Sequence, residues 1–204
     1  YPYDAEHNYQ YDYDILPGDE PDLKRGFNIF EERENTDNET IISSFNSIFD
    51  TELRFNDQWK LSSQVGIQWD QSSQEQYVGE NTFNMRNIRE DSSYDENQYI
   101  VPKGGMHTVN NATTSQITWK VQGEYKNTFN DIHDIQIMAG SEIRKNWYNT
   151  QFTAGYGYDP KTLTTKPLNI RNDKDAEKYK LHTKTYQENA FASFYTTGSY
   201  SFMS

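Results

Sequence analysis

Apolar and polar residues alternate with a period of two along five stretches of the chain, and aromatic residues gather near the ends of those stretches. The stretch over 59–70 shows the pattern most plainly. Trp59, Leu61, Ser63, Val65, Ile67 and Trp69 fall on one parity, and Lys60, Ser62, Gln64, Gly66, Gln68 and Asp70 on the other. Successive side chains of a strand point to opposite faces, so this segment predicts one greasy face and one hydrophilic face, with a Trp near each end of the greasy one. Membrane-spanning barrel strands have this pattern, with lipid on one side, water or protein on the other, and an aromatic girdle at each interface.

The other stretches read the same way. A first strand over about 41–55 places Ile41, Phe45, Phe49, Leu53 and Phe55 outward and Ser44, Asn46, Asp50, Glu52 and Arg54 inward. A third over about 114–126 places Ile117, Trp119, Val121 and Tyr125 outward and Gln116, Thr118, Lys120, Gln122 and Glu124 inward. A fourth over about 134–148 has Ile135, Ile137, Ala139 and Ile143 out and Gln136, Glu142, Arg144 and Asn146 in. A fifth begins near Glu188, with Ala190, Ala192, Phe194, Tyr200 and Phe202 on one parity.

Between the strands, short turns (56–58 and 127–133) alternate with long polar segments. Outer-membrane barrels combine short periplasmic turns with long extracellular loops. The expected organisation is therefore an extracellular loop over 1–40, a strand hairpin over 41–70, another loop over 71–113, another hairpin over 114–148, a third loop over 149–187 and an incomplete strand over 188–204, all in one barrel domain. Phe55, Trp59 and Tyr125 then fall at the inner interface, and Trp69 and Trp147 at the outer one. The fold class is all-β, a segment of a large antiparallel transmembrane barrel. Five strands leave two edges that cannot face hydrocarbon, so the chain reads as an internal piece of a longer polypeptide. Its first residues contain no signal-peptide pattern.

Composition agrees with that reading. Hydrophobic residues make up only 33% of the chain, below the ~45–50% of a packed soluble domain; a barrel strand needs only its outer face apolar. No apolar run reaches the length of a membrane-spanning helix. The chain has no cysteine, so disulfides and thiolate metal sites are excluded. With 19 basic and 31 acidic side chains the net charge is -12, which argues against nucleic acid as a partner.

Three segments, FDTELRFNDQWKLSSQVGIQWD (49–70), YKNTFNDIHDIQIMAGSEI (125–143) and ENAFASFYTTGSYSF (188–202), together with the lead-in NIFEERENTDNETIISSFNSIF (28–49), resemble the barrel of the SusC/RagA-like TonB-dependent transporters of Bacteroidetes. The segment over 125–143 is similar to that family's strand–turn–strand unit with a Met-Ala-Gly centre, and the one over 188–202 to its Glu-Asn-x-x-x-Ser-Phe/Tyr strand opening. The resemblance implies a protein of the Gram-negative outer membrane that imports a glycan or oligopeptide. It implies a SusD-like surface lipoprotein as partner, and TonB acting through parts outside this segment.

Catalytic chemistry finds little support. His7, His107, His133 and His182 stand apart, without the spacing of a zinc hydrolase. The alternating acids Asp173, Asp175 and Glu177 lack the glycine and the twelfth-position ligand of a calcium loop, where Lys178 and Lys184 stand. Asp12, Asp14, Asp19, Glu20 and Asp22 read as an acidic surface loop. Neither a nucleophile elbow nor a phosphate-binding loop is present, so no enzyme activity and no cofactor are expected. Within the inward rows, Gln68, Asp70, Glu142, Arg144 and Tyr148 are the candidates for substrate contact, because they lie in the outer half of the lumen. Residues 1–40 carry 12 acids and 3 bases, and residues 149–187 carry 4 acids and 7 bases. These opposite fields, with Tyr9, Tyr11, Tyr13, Tyr156 and Tyr158 as anchors, make the two segments candidates for a partner interface, since interface cores favour aromatics. A soluble β-sandwich glycan-binding module, a structural outer-membrane barrel and an outer-membrane enzyme are the competing readings.

Overall fold

The alternating stretches form five long strands in a computed structural model that describes residues 3–13 and 26–202. They are β1 (Thr36–Arg54), β2 (Trp59–Val78), β5 (Gly105–Phe129), β6 (His133–Tyr158) and β7 (His182–Phe202). They join in the order β1-β2-β5-β6-β7, so every strand pairs with its neighbours along the chain. Cross-strand contacts give the direction: Lys60 meets Glu124 and Ser62 meets Gln122, Gln64 meets Asp50, and His133 meets Tyr200 while Lys145 meets Glu188. Residue numbers rise on one strand as they fall on the next, and the sheet is antiparallel throughout.

These strands run to 19–26 residues, longer than the alternation predicts. The physical reason lies in segments such as 71–78 and 105–113. They pair as strands, but their side chains are mostly polar on both parities, so hydrophobic periodicity fades before the backbone ladder does.

Two local devices set the hairpins. Asn56 Oδ1 accepts from the backbone N–H groups of Gln58 and Trp59, and the Phe55 N–H donates to the Trp59 carbonyl, an Asx turn closing β1 onto β2. Between β5 and β6, Asn130 and Asp131 both have positive φ, at 52° and 62°, and the Ile132 N–H bonds back to the Phe129 carbonyl. Positive φ at both central residues is the requirement of a type I′ hairpin turn, and Asn and Asp tolerate it.

The chain divides into two units. One comprises residues 42–72, 112–150 and 185–204. It is sheet with two chemically distinct faces. Even-numbered residues of β1, β2 and β5 form the polar face, where Asp50, Glu52, Lys60, Ser62, Gln64, Lys120, Gln122 and Glu124 border one groove. Phe45, Phe49, Leu53, Trp59, Ile67, Ile117 and Trp119 on the other parity are exposed. On β7 the parity reverses: Phe194, at 85% exposure, belongs to the apolar side, and Tyr195 to the polar side with Gln122. Ser63 is a hydroxyl on the apolar parity, and it accepts a hydrogen bond from Trp119 Nε1 at 3.0 Å. Each supplies the polar partner the other needs in apolar surroundings.

The other unit comprises residues 1–41, 73–111 and 151–184. Over the spans read from the sequence as long polar loops, the described residues form a small folded body. It holds α1 (Ile29–Glu34), α2 (Phe83–Glu90), α3 (Asp173–Lys178) and a hairpin of β3 (Ser93–Asp95) and β4 (Gln98–Tyr99). Asn28, Thr82 and Asn172 cap the three helices with side-chain oxygens on first-turn N–H groups. Val78, Met85, Ile100, Val101 and Tyr179 form the buried core, with Ile88, Tyr94, Met106, Tyr156 and Leu168 packed against it. Gly104 and Gly157, both at positive φ, touch so closely that a Cβ on Gly104 would collide with the backbone of Gly157. The acids Asp14, Asp19, Glu20 and Asp22 lie outside the described residues.

Candidate functional site

Lys60 organises the polar face of the sheet. Its ammonium lies 2.9 Å from Glu124 and 3.8 Å from Glu52. Glu52 also holds Arg54 at 2.7 Å, and Glu124 accepts from Gln122 Nε2 at 2.7 Å. Charges therefore alternate across β1, β2 and β5, and the face is largely neutralised by its own residues.

Of the candidate contact residues, Gln68 donates to Asp70 at 2.6 Å, and Arg144 pairs with Glu142 at 2.7 Å. The Gln68–Asp70 pair is on β2 and the Arg144–Glu142 pair on β6, with β5 between them. The structure thus brings them to one face as two separate pairs. Tyr148, also on β6, is exposed.

The candidate interface tyrosines have partners inside the chain. Tyr9 stacks on Tyr3 and donates to Glu34; that hydrogen bond pushes its pKa up to about 12. Tyr11 packs beside Tyr13 and lies under the Arg86 guanidinium. Tyr156 meets Tyr179 edge-on in the buried core, where burial raises its pKa. Tyr158 stacks on His107 at 4.8 Å, and His107 bonds Glu75 at 2.6 Å. Asp175 lies in the first turn of α3 as Arg171's partner, and that contact holds its pKa below the usual carboxylate range.

Sequence reasoning missed a cavity of about 410 Å³ beside α2, lined in part by Arg86, Arg89, Tyr99 and Lys103. The available signal was a Thr-capped segment with two Arg three residues apart, which puts them on one side of a helix.

The two motifs that carry the family resemblance touch each other. Gly140, at the centre of the Met-Ala-Gly segment on β6, lies under the ring of Tyr195 from the Ser-Phe-Tyr segment on β7. The Tyr195 hydroxyl donates to Gln122 on β5 at 3.1 Å, and Lys120 sits over its ring. The glycine leaves room for a ring that reaches across a whole strand. Gly140→Val should therefore cost roughly 1–3 kcal/mol through overpacking, while Gly123→Val, which meets only ordinary contact, should cost less; denaturant titration of the folded full-length barrel would show the difference.

The five-stranded antiparallel sheet of long strands matches part of a large β-barrel in solved structures. Solved structures that it resembles include those of the RagAB peptide importer. Against the closed-closed state the TM-score is 0.69 at 13% identity, covering 98% of this chain and 20% of that chain. Against the open-open state and a further structure of the RagAB peptide transporter the TM-score is 0.68 at 15% identity, with the same coverage. The likeness is one of fold, and the chain spans about a fifth of the length of the solved chains it matches. No protein-family profile and no curated protein matches the sequence.

Proposed function

We propose that this chain is part of the wall and outer rim of an outer-membrane, TonB-dependent nutrient importer that works with a SusD-like surface lipoprotein. The observation that carries the reading is the apolar band on the sheet. Trp69 lies ten residue steps along the strand from Trp59. At ~3.3 Å per residue this is about 33 Å along the strand. A barrel tilt of ~40° reduces it to about 25 Å, the height of the apolar band of such barrels. Trp59 and Tyr125 pack together at one margin, with ring centroids 4.7 Å apart. The limits of the sheet unit, 42–72, 112–150 and 185–204, lie close to the spans read from alternation. A soluble sandwich would need another sheet over the apolar face, and within the chain Phe45, Phe49, Trp59 and Phe194 stand exposed.

In this reading the substrate is a glycan or an oligopeptide; the RagAB importer's peptide cargo favours the latter as the first to test. The lipoprotein would meet the oppositely charged segments 1–40 and 149–187. Since the rings of Tyr9, Tyr11, Tyr13, Tyr156 and Tyr158 are engaged internally, exposed groups such as Leu163, at 73% exposure, are better placed to contact it directly.

Single cysteines at Glu96, Lys174 and Asn130, all exposed, test the topology with an impermeant thiol reagent. Labelling of intact cells is expected at Glu96 and Lys174 and not at Asn130. The reverse pattern would invert the topology, and recovery of the full-length protein in the soluble fraction would remove the transporter reading altogether.

A further inference from the structure

The strongest unassigned feature is the cavity beside α2. Helix α2 is anchored by Met85, which is 1% exposed in the core, so the Arg86 and Arg89 side chains at the cavity wall project from a fixed frame. The two guanidiniums differ in what they already hold. Arg86 donates to the Gly26 carbonyl, faces Glu31 at 3.5 Å and covers the Tyr11 ring. It is a tie between α2 and the N-terminal segment. Arg89 lies 4.2 Å over the Tyr99 ring, and among the described residues it has neither a carboxylate partner nor a hydrogen-bond acceptor.

Both arginines carry one cost in common, since the Nε of each is buried without a partner, and a buried donor left unpaired is destabilising; they differ at the terminal nitrogens, which Arg86 engages and Arg89, among the described residues, does not. Contact with the Tyr99 ring restrains the guanidinium at the cavity wall, and its terminal nitrogens are the donors that remain for a ligand. A planar fork of N–H donors, held in one orientation, matches a carboxylate bidentately. Lys103 adds another cation at the wall and is only loosely paired, 3.8 Å from Glu80. Beyond Glu80, Glu90 is the opposing charge in the lining.

We propose that this cavity is a carboxylate-binding subsite in which Arg89, braced by Tyr99 and assisted by Lys103, holds an acidic group of a ligand. The proposal rests on the importer reading for its biological use, since it assigns that importer an acidic cargo. Two sources share the chemistry: the C-terminal or side-chain carboxylate of a peptide, and the carboxylate of a uronic-acid glycan.

The test uses the full-length protein in detergent and calorimetric titration with two matched pairs: N-acetyl-trialanine as the free acid and as its amide, and digalacturonate and its methyl ester. In at least one pair the acid should bind roughly tenfold or more tightly than the neutral form, the range of a charged hydrogen-bonded contact. Arg89→Gln should abolish the difference, Arg89→Lys should retain part of it, and Glu90→Gln should enlarge it. The pair that discriminates names the source. Loss in Arg89→Gln counts only with an intact loop unit, shown by unchanged proteolytic resistance; the graded response of Arg89→Lys and the opposite response of Glu90→Gln read the site independently of folding. Equal binding of acid and neutral forms by the wild type, or a difference that survives Arg89→Gln, overturns the subsite. Failure of the importer reading shows separately: acid-selective binding by a protein that needs no membrane or detergent would leave the subsite standing and remove the transporter.

Discussion

Arginine at Val65 should cost the inserted barrel roughly 2–4 kcal/mol, the penalty for a basic side chain on the lipid face near the bilayer midplane, whereas arginine at the adjacent Gln64 should cost far less. Val65 lies between Trp59 and Trp69 on the apolar parity of β2. The register defined by Lys60–Glu124 and Gln64–Asp50 puts Trp119 opposite it on one side and Phe49 on the other, both exposed on the same face. A guanidinium there would find no carboxylate on its own parity, only hydroxyls: Ser63, which Trp119 already engages, and Ser47 and Thr51 on either side of Phe49. Gln64 is on the other face. Its amide donates to Asp50 at 2.7 Å, so an arginine would find a carboxylate in reach, with Lys120 across the groove as a mild opposing charge. The measurement is folding of the full-length protein into lipid vesicles against denaturant, with heat-modifiable migration as the readout. Equal tolerance of arginine at the two positions would count against a membrane barrel.

Met85→Ala should destabilise the loop unit by roughly 2–5 kcal/mol, as expected for truncating a fully buried large side chain, and should leave the sheet unit in place. Met85 joins α2 to Val78 at the end of β2, to Ile100 and Val101 after β4, and to Tyr179 at the end of α3. Removing it opens a cavity where four separate segments meet. The loss should read as local unfolding: faster tryptic cleavage at sites such as Arg89, Lys103 and Lys174, with heat-modifiable migration retained. Met85→Leu, which conserves volume, should restore most of the protection. A variant that loses heat-modifiable migration would show that the loop body and the barrel fold as one cooperative unit.

Much of the wall was legible because it is written in local, periodic terms. The alternation from Trp59 to Trp69 specifies a strand and its two faces without reference to any other segment, since side chains of a strand alternate wherever the strand sits. Asn56 and Asn130-Asp131 announce turns for equally local reasons, a side-chain acceptor in one case and tolerance of positive φ in the other. The candidate contact residues were placed on the polar face by parity alone. What parity could not show is that Gln68 would be occupied by Asp70, and Arg144 by Glu142.

The loops were illegible for the converse reason. Helix α2 has eight residues, too few for its Phe83, Met85 and Ile88 to set up a recognisable helical period, and Val101 enters the core from a segment that reads as polar loop. Histidines expected to stand alone acquired partners from other strands, His107 from β2 and β6 and His133 from β7.

The sequence by itself determined the central parts of the five long strands, their alternation of faces and the sites of the tight hairpins, because each depends on residues within a few positions of one another. Tertiary structure alone decided which residues of different strands and loops meet. It set the Tyr195 ring over Gly140, gave Ser63 the Trp119 indole from 56 residues away, and placed Arg89 over Tyr99 with no carboxylate partner among the described residues. Those pairings follow from register and from burial of apolar groups drawn from distant segments, and no local pattern encodes a partner that only the folded chain brings within reach.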